Sequence, residues 1–145
     1  MGAVVQRIPA GRTHAAFRAM RELRPALTTA EDFGALVDGE LRPGGYLLAG
    51  VFTDDTPDAV AVAGYRYTRS LAAGAHLYVD DLVSLPEVRG RGHARELLAW
   101  LVEEAKTHGC AQLHLDSGTH RHGAHGFYFA NGLHVSAFHF MRELG

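Results

Sequence analysis

The sequence contains little cysteine, no long apolar run and no excess of positive charge, and each scarcity excludes a class of protein. Its one cysteine, Cys110, cannot form an internal disulfide, which is typical of a reducing compartment. No apolar stretch approaches the roughly 20 residues that a membrane-spanning helix needs. Residues 1–12 also lack the apolar core of a signal peptide. We therefore expect a cytoplasmic protein that has no membrane partner.

The charge balance and the length of the chain narrow the class of protein further. A formal net charge of −2 gives no basic excess, which disfavours nucleic acid as a partner. The 145 residues suit one domain with a sizeable core, and 47% hydrophobic and 21% charged residues are ordinary for a globular protein. Because the chain has no internal repeat or linker, we expect one domain over residues 1–145.

The order of periodic segments predicts an α/β protein with a mixed central sheet flanked by helices. Thr13 and Thr29 are the predicted caps of the first two helices. The expected strands cover residues 3–9, 46–53, 59–69, a stretch beginning at Leu77, 111–115 and 135–144. The expected helices cover residues 13–24, 29–41, 93–108 and 122–131.

The stretch from Leu77 to Leu98 reads as a strand, a glycine-rich turn and a helix that begins at once. Gly90 and Gly92 allow positive φ and close approach of a ligand, and the first helical amides have no partner inside the helix. Such a turn binds anions, and pyrophosphate is a frequent one. The turn is neither Gly-x-Gly-x-x-Gly nor a Walker motif, which weakens nicotinamide and nucleoside triphosphate interpretations. An ordinary strand-to-helix connection is the alternative.

Three segments, in the right order, resemble the GNAT superfamily of N-acetyltransferases. Residues 89–94, Arg-Gly-Arg-Gly-His-Ala, match the superfamily's Arg/Gln-x-x-Gly-x-Gly/Ala signature. Residues 79–89 resemble the strand and turn of spermidine/spermine-type members, and residues 124–132 resemble the family's last helix. The resemblance implies the single-domain acyl-CoA N-acyltransferase (GNAT) fold over nearly the whole chain.

The resemblance also implies acetyl-CoA as co-substrate. Its pantetheine arm would lie in a gap between two splayed strands and pair with backbone groups of Leu82, Val83 and Ser84. Its pyrophosphate would lie on the turn and the start of the helix. The residues implied there are Arg89, Gly90, Arg91, Gly92, His93, Ala94 and Arg95.

Acetyl transfer to an amine needs a group that removes the proton of the ammonium, and Asp80 and Asp81 are the candidates. Adjacent side chains of a strand point to opposite faces, so only one carboxylate faces the cofactor gap unless a bulge changes the phase. Polyamine-type relatives carry a glutamate at the position of Asp80, and we therefore predict Asp80 as the base. Asp81, a histidine or a water relay, or a purely structural pair with arginine, are the alternatives.

Tyr128 is the predicted general acid. A phenol is protonated at neutral pH and can donate to the departing thiolate, and the family places a tyrosine at this position. The alternative is a core tyrosine beside Phe127 and Phe129.

The acceptor is expected to be a small primary amine such as a polyamine or an amino acid, with Asp81, Asp116 and Ser117 as candidate binding residues. The ten histidines show no zinc-binding spacing, so we predict no metal site. A non-catalytic CoA- or acyl-CoA-binding sensor or interaction module is the alternative function. The resemblance leaves a homodimer open.

Overall fold

The computed structural model describes residues 2–145, which divide into two compact units. The first unit extends to His114, and the second runs from Leu115 to Gly145. The first unit carries three of the four α-helices and nearly all of the sheet. No helix within residues 2–145 combines the length and the apolar character that crossing a membrane requires.

The sheet has five strands, whose spatial order follows their order in the chain. The first four strands pair antiparallel, and the fifth makes the sheet mixed, as the sequence predicts. The second, third and fourth strands form an antiparallel meander, and one further strand lies on each side of it. The strands are β1 (Val4–Arg7), β2 (Leu47–Phe52), β3 (Ala61–Ser70), β4 (Gly74–Ser84) and β5 (Gln112–Leu115).

The helices are α1 (Phe17–Leu23), α2 (Ala30–Leu36), α3 (His93–Thr107) and α4 (His122–Ala130). Thr29 caps α2, as predicted, because its hydroxyl accepts the Asp32 amide at 3.0 Å. The predicted cap at Thr13 is wrong. Residues Ala10–Ala16 form a 3₁₀ helix before α1, and the buried Thr13 hydroxyl donates to Asp38 at 2.7 Å instead.

The longest helix, α3, packs on the sheet with the apolar stripe that its sequence period predicts. Leu97, Leu98 and Leu101 are buried, and Trp100 meets Tyr65 of β3 edge to face, with 6.2 Å between ring centroids. Gly64, the neighbour of Tyr65, faces Tyr46 instead. Because adjacent strand residues point to opposite faces, Tyr46 and α3 lie on opposite sides of the sheet.

A β-bulge interrupts the pairing of β3 with β4. Gly64 lies opposite Asp81 and Tyr65 lies opposite Val79, which leaves Asp80 as the extra residue of β4. Beyond the bulge, β4 continues to Ser84, and a 3₁₀ turn from Pro86 to Val88 leads to the glycine-rich loop. The bulge changes which face the acidic side chains of β4 occupy.

In the second unit, α4 occupies the predicted position and is followed by Gly132 at φ +88°. The strand predicted over residues 135–144 is wrong: residues 133–145 carry no strand. The apolar and β-branched residues of this stretch suit a strand, but a strand also requires a neighbouring backbone, and none of the described residues supplies one.

Candidate active site

A cavity of about 490 Å³ lies beside the bulge of β4, on the face of the sheet that carries Tyr46. It is lined by residues from the end of α1, the stretch after α2, and strands β3 and β4. Its lining residues are Arg24, Glu40, Leu41, Gly44, Tyr46, Arg66, Asp80 and Asp81. Five of these eight residues carry formal charge, which indicates a site for a polar, charged ligand rather than an apolar one.

Asp80 and Asp81 both line this cavity, because the bulge cancels the alternation that would send them to opposite faces. Asp80 accepts two hydrogen bonds from Arg66, at 2.8 Å to Nε and 2.9 Å to Nη2. This two-point contact fixes the plane of the carboxylate. Each carboxylate oxygen keeps a second lone pair, so the Asp80 carboxylate still has acceptor positions for a ligand.

Asp81 is held from two sides. Tyr46 donates its hydroxyl to one oxygen at 2.7 Å, and Arg24 donates Nε to the other at 2.9 Å. The Arg24 guanidinium also donates to the Asp80 carbonyl at 3.1 Å. Burial is the main cause that raises the pKa of Tyr46, and the negative charge of Asp81 raises it further. The Tyr46 hydroxyl therefore stays a hydrogen-bond donor at neutral pH.

Gly64 makes the contact between Tyr46 and Asp81 possible. A Cβ at this position would lie 1.8 Å from the Tyr46 hydroxyl oxygen and 2.6 Å from Oδ2 of Asp81. Any side chain here would displace both groups. The cavity therefore requires a glycine at position 64 of β3.

The start of α3 has the features of an anion site. Gly90 and Gly92 both have φ +84°, which confirms the backbone freedom expected at these positions. The Glu96 amide is bonded to the Gly92 carbonyl at 3.0 Å, so the amides of residues 92–95 have no acceptor within the helix. The Arg91 amide, by contrast, donates to the Val88 carbonyl at 3.3 Å. The dipole of the 15-residue helix adds partial positive charge at this end.

Arginine side chains supply full charge at the same end. Arg89, Arg91 and Arg95 are exposed, and within residues 2–145 none of the three has a side-chain hydrogen bond or ion pair. The Nδ1 atom of His93, the first residue of α3, is buried without a partner. Unpaired guanidinium groups beside free amides form a good binding surface for a diphosphate.

The carboxyl end of β4 leads from the cavity to this turn. Leu82 and Val83 are buried, Ser84 is half-buried, and all three pair with β3 on one side. On the other side, β5 begins beside the start of β4, because the Ala111 amide donates to the Ala75 carbonyl at 3.3 Å. The four residues of β5 are too few to reach Leu82. This end of β4 therefore has one edge that β5 leaves uncovered.

The second unit contains Asp116, Ser117 and Tyr128. Tyr128 lies on α4, is buried, and meets the Phe127 ring at 67°. Burial raises the pKa of its phenol, and Arg121 acts in the opposite direction. The Ser117 hydroxyl is buried without a partner. The Asp116 carboxylate is half exposed and pairs with His139 at 2.8 Å.

The sequence did not predict four polar side chains of the cavity: Arg24, Glu40, Tyr46 and Arg66. Arg66 had a usable signal, because a short turn between β3 and β4 fixes the antiparallel register and pairs Arg66 with Tyr78, two residues from Asp80. Arg24 and Tyr46 come from distant parts of the chain, and no local pattern predicts their meeting at Asp81.

The histidines form no dense cluster. The rings of His76 and His114 are tilted by 41°, with centroids 4.5 Å apart, and His122 meets His125 on α4. Across residues 2–145, no three histidine, cysteine or acidic side chains are grouped so that they could hold a metal ion.

Comparison with known proteins assigns the family. Residues 13–132 match the sequence profile of the Acetyltransferase (GNAT) family. The chain is 38% identical over 66 residues to the aminoalkylphosphonate N-acetyltransferase of Salmonella typhimurium, a match that covers 46% of this chain and 43% of the relative. The chain thus spans under half the length of that relative.

Two further similarities extend over more of the chain. The uncharacterized N-acetyltransferase YhdJ of Bacillus subtilis is 29% identical over 109 residues, which is 75% of each protein. The structure of AAC(6')-Iy in complex with the bisubstrate analogue CoA-S-monomethyl-acetylneamine superposes with a TM-score of 0.84 at 13% identity, over 100% of this chain and 99% of that one. At this identity the superposition shows a shared fold. The chain therefore belongs to the Acetyltransferase (GNAT) family, the class of acetyl-CoA-dependent N-acyltransferases that its turn and flanking motifs indicate.

Proposed function

We propose that this chain transfers the acetyl group of acetyl-CoA directly to the primary amine of a small molecule that enters the cavity beside the β4 bulge. The single observation that carries the proposal is the bulge itself. It turns both Asp80 and Asp81 toward one cavity, on the strand that continues to the anion site at the start of α3. The candidate base and the backbone that would bind the cofactor therefore belong to the same strand, β4.

The cofactor would extend along the carboxyl end of β4. Backbone groups of Leu82, Val83 and Ser84 would pair with the pantetheine amides on the edge that β5 leaves uncovered, in the manner of an added strand. The pyrophosphate would accept hydrogen bonds from the amides of the turn and of the first turn of α3. The exposed guanidinium groups of Arg89, Arg91 and Arg95 would balance its charge.

Asp80 would act as the general base. An ammonium has no lone pair, so one proton must leave before the nitrogen attacks the thioester carbonyl. Arg66 holds the Asp80 carboxylate by two hydrogen bonds, which leaves the outer lone pairs of its oxygens for the incoming amine or an intervening water. Asp81, which is engaged by Tyr46 and Arg24, would orient the acceptor.

Tyr128 would act as the general acid toward the thiolate of coenzyme A. Burial raises the pKa of its phenol, so the proton is present throughout the neutral range. Attack of the amine forms a tetrahedral intermediate, whose collapse breaks the carbon–sulfur bond. The phenol proton would then pass to the sulfur. Cys110, the single thiol, has no part in this direct transfer.

The cavity further favours an acceptor that carries an acidic group as well as its amine. Arg24 and Arg66 line the cavity beside the two aspartates, and each guanidinium has five donors, of which its contacts here use only some. A carboxylate or phosphonate would take the remaining donors, while the amine would approach the aspartates. An amino acid fits this arrangement better than a polyamine. The Salmonella relative, named as an aminoalkylphosphonate N-acetyltransferase, agrees with it.

A thiol-release assay tests this proposal. Acetyl-CoA is offered with butylamine, 1,4-diaminobutane, 4-aminobutyrate and 3-aminopropylphosphonate, which share a short alkyl chain. We expect the two acidic acceptors to give kcat/KM at least about tenfold above the other two, since one charged hydrogen bond contributes about 1.5–3 kcal/mol. Arg24→Gln should lower kcat/KM for the two acidic acceptors more than for butylamine, and so reduce this preference.

The catalytic roles are tested with the preferred acceptor. Asp80→Asn and Tyr128→Phe should each lower kcat by about 10²-fold or more and preserve the affinity for coenzyme A. Matched controls are Asp55→Asn, in the exposed turn between β2 and β3, and Tyr67→Phe, whose hydroxyl makes one 3.4 Å contact to Glu104. Full activity of Asp80→Asn would remove Asp80 as the base and point to Asp81 or a relay.

The alternative function, a non-catalytic CoA- or acyl-CoA-binding module, predicts a different result. Coenzyme A would bind, no acceptor would release thiol above the rate without protein, and neither substitution would matter. We also propose that residues 1–145 act as one acetyltransferase domain in the cytoplasm, with neither nucleic acid nor membrane as a partner, and that the chain is a homodimer.

A further inference from the structure

Glu40 differs from the other four charged residues of the cavity, because within residues 2–145 it has no partner. The carboxylate of Asp80 is paired with Arg66, and that of Asp81 is paired with Arg24. Glu40 lines the same cavity, is exposed, and makes no hydrogen bond or ion pair with any of the described residues. Its carboxylate is therefore available to a ligand that enters the cavity.

Hydrogen bonds fix the backbone that presents Glu40. It belongs to a π-helix, Val37–Leu41, which follows α2 and ends with a bond from the Arg42 amide to the carbonyl of the first residue, five positions earlier. The Asp38 carboxylate of this turn accepts hydrogen bonds from the Thr13 hydroxyl at 2.7 Å and from Arg42 Nε at 2.8 Å. Turns of the π-helical type are rare and occur frequently at functional sites. A backbone held in this way keeps the free carboxylate beside the cavity.

The charged groups of the cavity leave an excess of one negative charge. The lining includes three carboxylates and two guanidinium groups, which give a formal net charge of −1. An acceptor with one ammonium and one carboxylate is neutral as a whole and leaves this charge unbalanced. A diamine without an acidic group carries two positive charges and leaves the free guanidinium donors unused. An acceptor with two ammonium groups and one carboxylate carries a single positive charge and complements the cavity.

We propose that the acceptor is a diamino acid, in which one amine receives the acetyl group and the second, as an ammonium, binds Glu40. The reacting amine would approach Asp80, and the acidic group would take the unused donors of Arg24 and Arg66. The second ammonium would donate to the free oxygens of Glu40. This inference rests on the proposed acetyl transfer and narrows its acceptor to one chemical class.

The size of the effect follows from the exposure of Glu40. An ion pair in full contact with solvent contributes up to about fivefold to a binding constant. A ligand that fills the cavity excludes part of the water around the carboxylate and strengthens the contact. We therefore expect the second ammonium to raise kcat/KM by at least about fivefold. Added salt should weaken this gain, since charges close to solvent are screened.

Three acceptors that differ only at carbon 2 test the proposal. Thiol release from acetyl-CoA is measured with 4-aminobutyrate, 2,4-diaminobutyrate and 4-amino-2-hydroxybutyrate. All three share the carboxylate and the 4-amine, and the hydroxyl compound controls for size and polarity at carbon 2. We expect kcat/KM for 2,4-diaminobutyrate to exceed that for each of the other two by at least about fivefold.

Glu40→Gln removes the charge and keeps the shape of the side chain. It should lower kcat/KM for 2,4-diaminobutyrate more than for the other two acceptors, so that the preference falls below about twofold. A loss of folding alone would lower all three values by the same factor and leave the preference as it is. The matched control is Glu31→Gln, the same change at an exposed position of α2 that does not line the cavity, and it should retain the full preference.

Equal kcat/KM for 4-aminobutyrate and 2,4-diaminobutyrate would contradict the proposal, as would a preference that Glu40→Gln leaves unchanged. In either case, turnover of 4-aminobutyrate would still support acetyl transfer in this cavity. Absence of thiol release from all three acceptors would overturn the proposed acetyl transfer itself, and the diamino acid with it. A preference that Glu40→Gln loses and Glu31→Gln keeps would support Glu40 as the residue that binds the second ammonium.

Discussion

At the scale of single residues, Gly64, which has no side chain, gives the sharpest prediction. Gly64→Ala would place a methyl group within 1.8 Å of the Tyr46 hydroxyl oxygen, so Tyr46 and Asp81 must separate. We expect a loss of about 1–3 kcal/mol in the free energy of unfolding, as for an overpacked core, and a much larger KM for the acceptor. Urea denaturation and steady-state kinetics measure the two effects.

The control for this substitution is Gly34→Ala, in the helix α2, where a Cβ would meet nothing within 4 Å. The same chemical change there should stabilise the chain by up to about 1 kcal/mol and leave the kinetics unaltered. If Gly64→Ala behaves as Gly34→Ala does, the Tyr46–Asp81 contact has no part in acceptor binding.

The acidic pair of β4 illustrates how far residue patterns carry the prediction. The sequence predicts that Asp80 and Asp81 point to opposite faces of the sheet unless a bulge changes the alternation. The structure contains that bulge. The residue pattern does not show whether β4 alternates regularly or contains a bulge, because a bulge depends on the register with β3 and not on β4 alone. The ion-pair partners Arg66 and Arg24 were missed for the same reason.

At the scale of elements, the start of α3 was predictable because all of its determinants lie within a few consecutive residues. Gly92→Ala places a side chain at φ +84° in open space, so its cost is conformational, about 1–2 kcal/mol. We expect that cost to be accompanied by at least about a tenfold weaker affinity for coenzyme A, since the turn must bring its amides close to the diphosphate. Isothermal calorimetry measures the affinity.

Gly109→Ala provides the matched control at the other end of the same helix. Gly109 has φ +74° and equally open surroundings. It should lower the free energy of unfolding by a similar amount and leave the affinity for coenzyme A unchanged. Equal losses of affinity in both variants would mean that strain on α3, and not the geometry of the turn, weakens binding.

The five strands and the four helices followed from periodicity and turn residues, whereas the predicted last strand did not form. The difference lies in whether a neighbouring strand is available for hydrogen bonding. Strands β2, β3 and β4 pair antiparallel in chain order, so each of them has a partner close in sequence. Residues 134–145 have the composition of a strand but no hydrogen-bonded neighbouring backbone within residues 2–145. Composition predicts the tendency to form a strand, and only topology supplies the partner.

At the scale of the whole molecule, buried phenols determine how the chain responds to alkali. Burial raises the pKa of Tyr46, Tyr65, Tyr67 and Tyr128, to about 12 for Tyr67. The fold therefore favours the protonated phenols. Their contribution to the free energy of unfolding is complete below pH 10, the unfolded value, and is lost as the pH rises through the folded values. The loss is up to about 1.4 kcal/mol per pH unit for each of Tyr46, Tyr65 and Tyr128, and smaller for the half-buried Tyr67, which solvent screens.

Absorbance at 295 nm measures this effect, since phenolate absorbs there and phenol does not. At pH 11 the native chain should show fewer ionised tyrosines, of its five, than the chain in guanidinium. Urea midpoints should fall between pH 10 and pH 12. Identical titration curves for the native and the denatured chain would show that these phenols are in contact with solvent.

The most direct measurement for the account as a whole is a crystal structure of the chain with coenzyme A. We predict that the diphosphate lies within hydrogen-bond distance of the amides of residues 92–95, that the pantetheine arm follows Leu82–Ser84, and that the thiol points toward the cavity with Asp80. A complex in which residues 89–95 contact no ligand and coenzyme A lies elsewhere would contradict it.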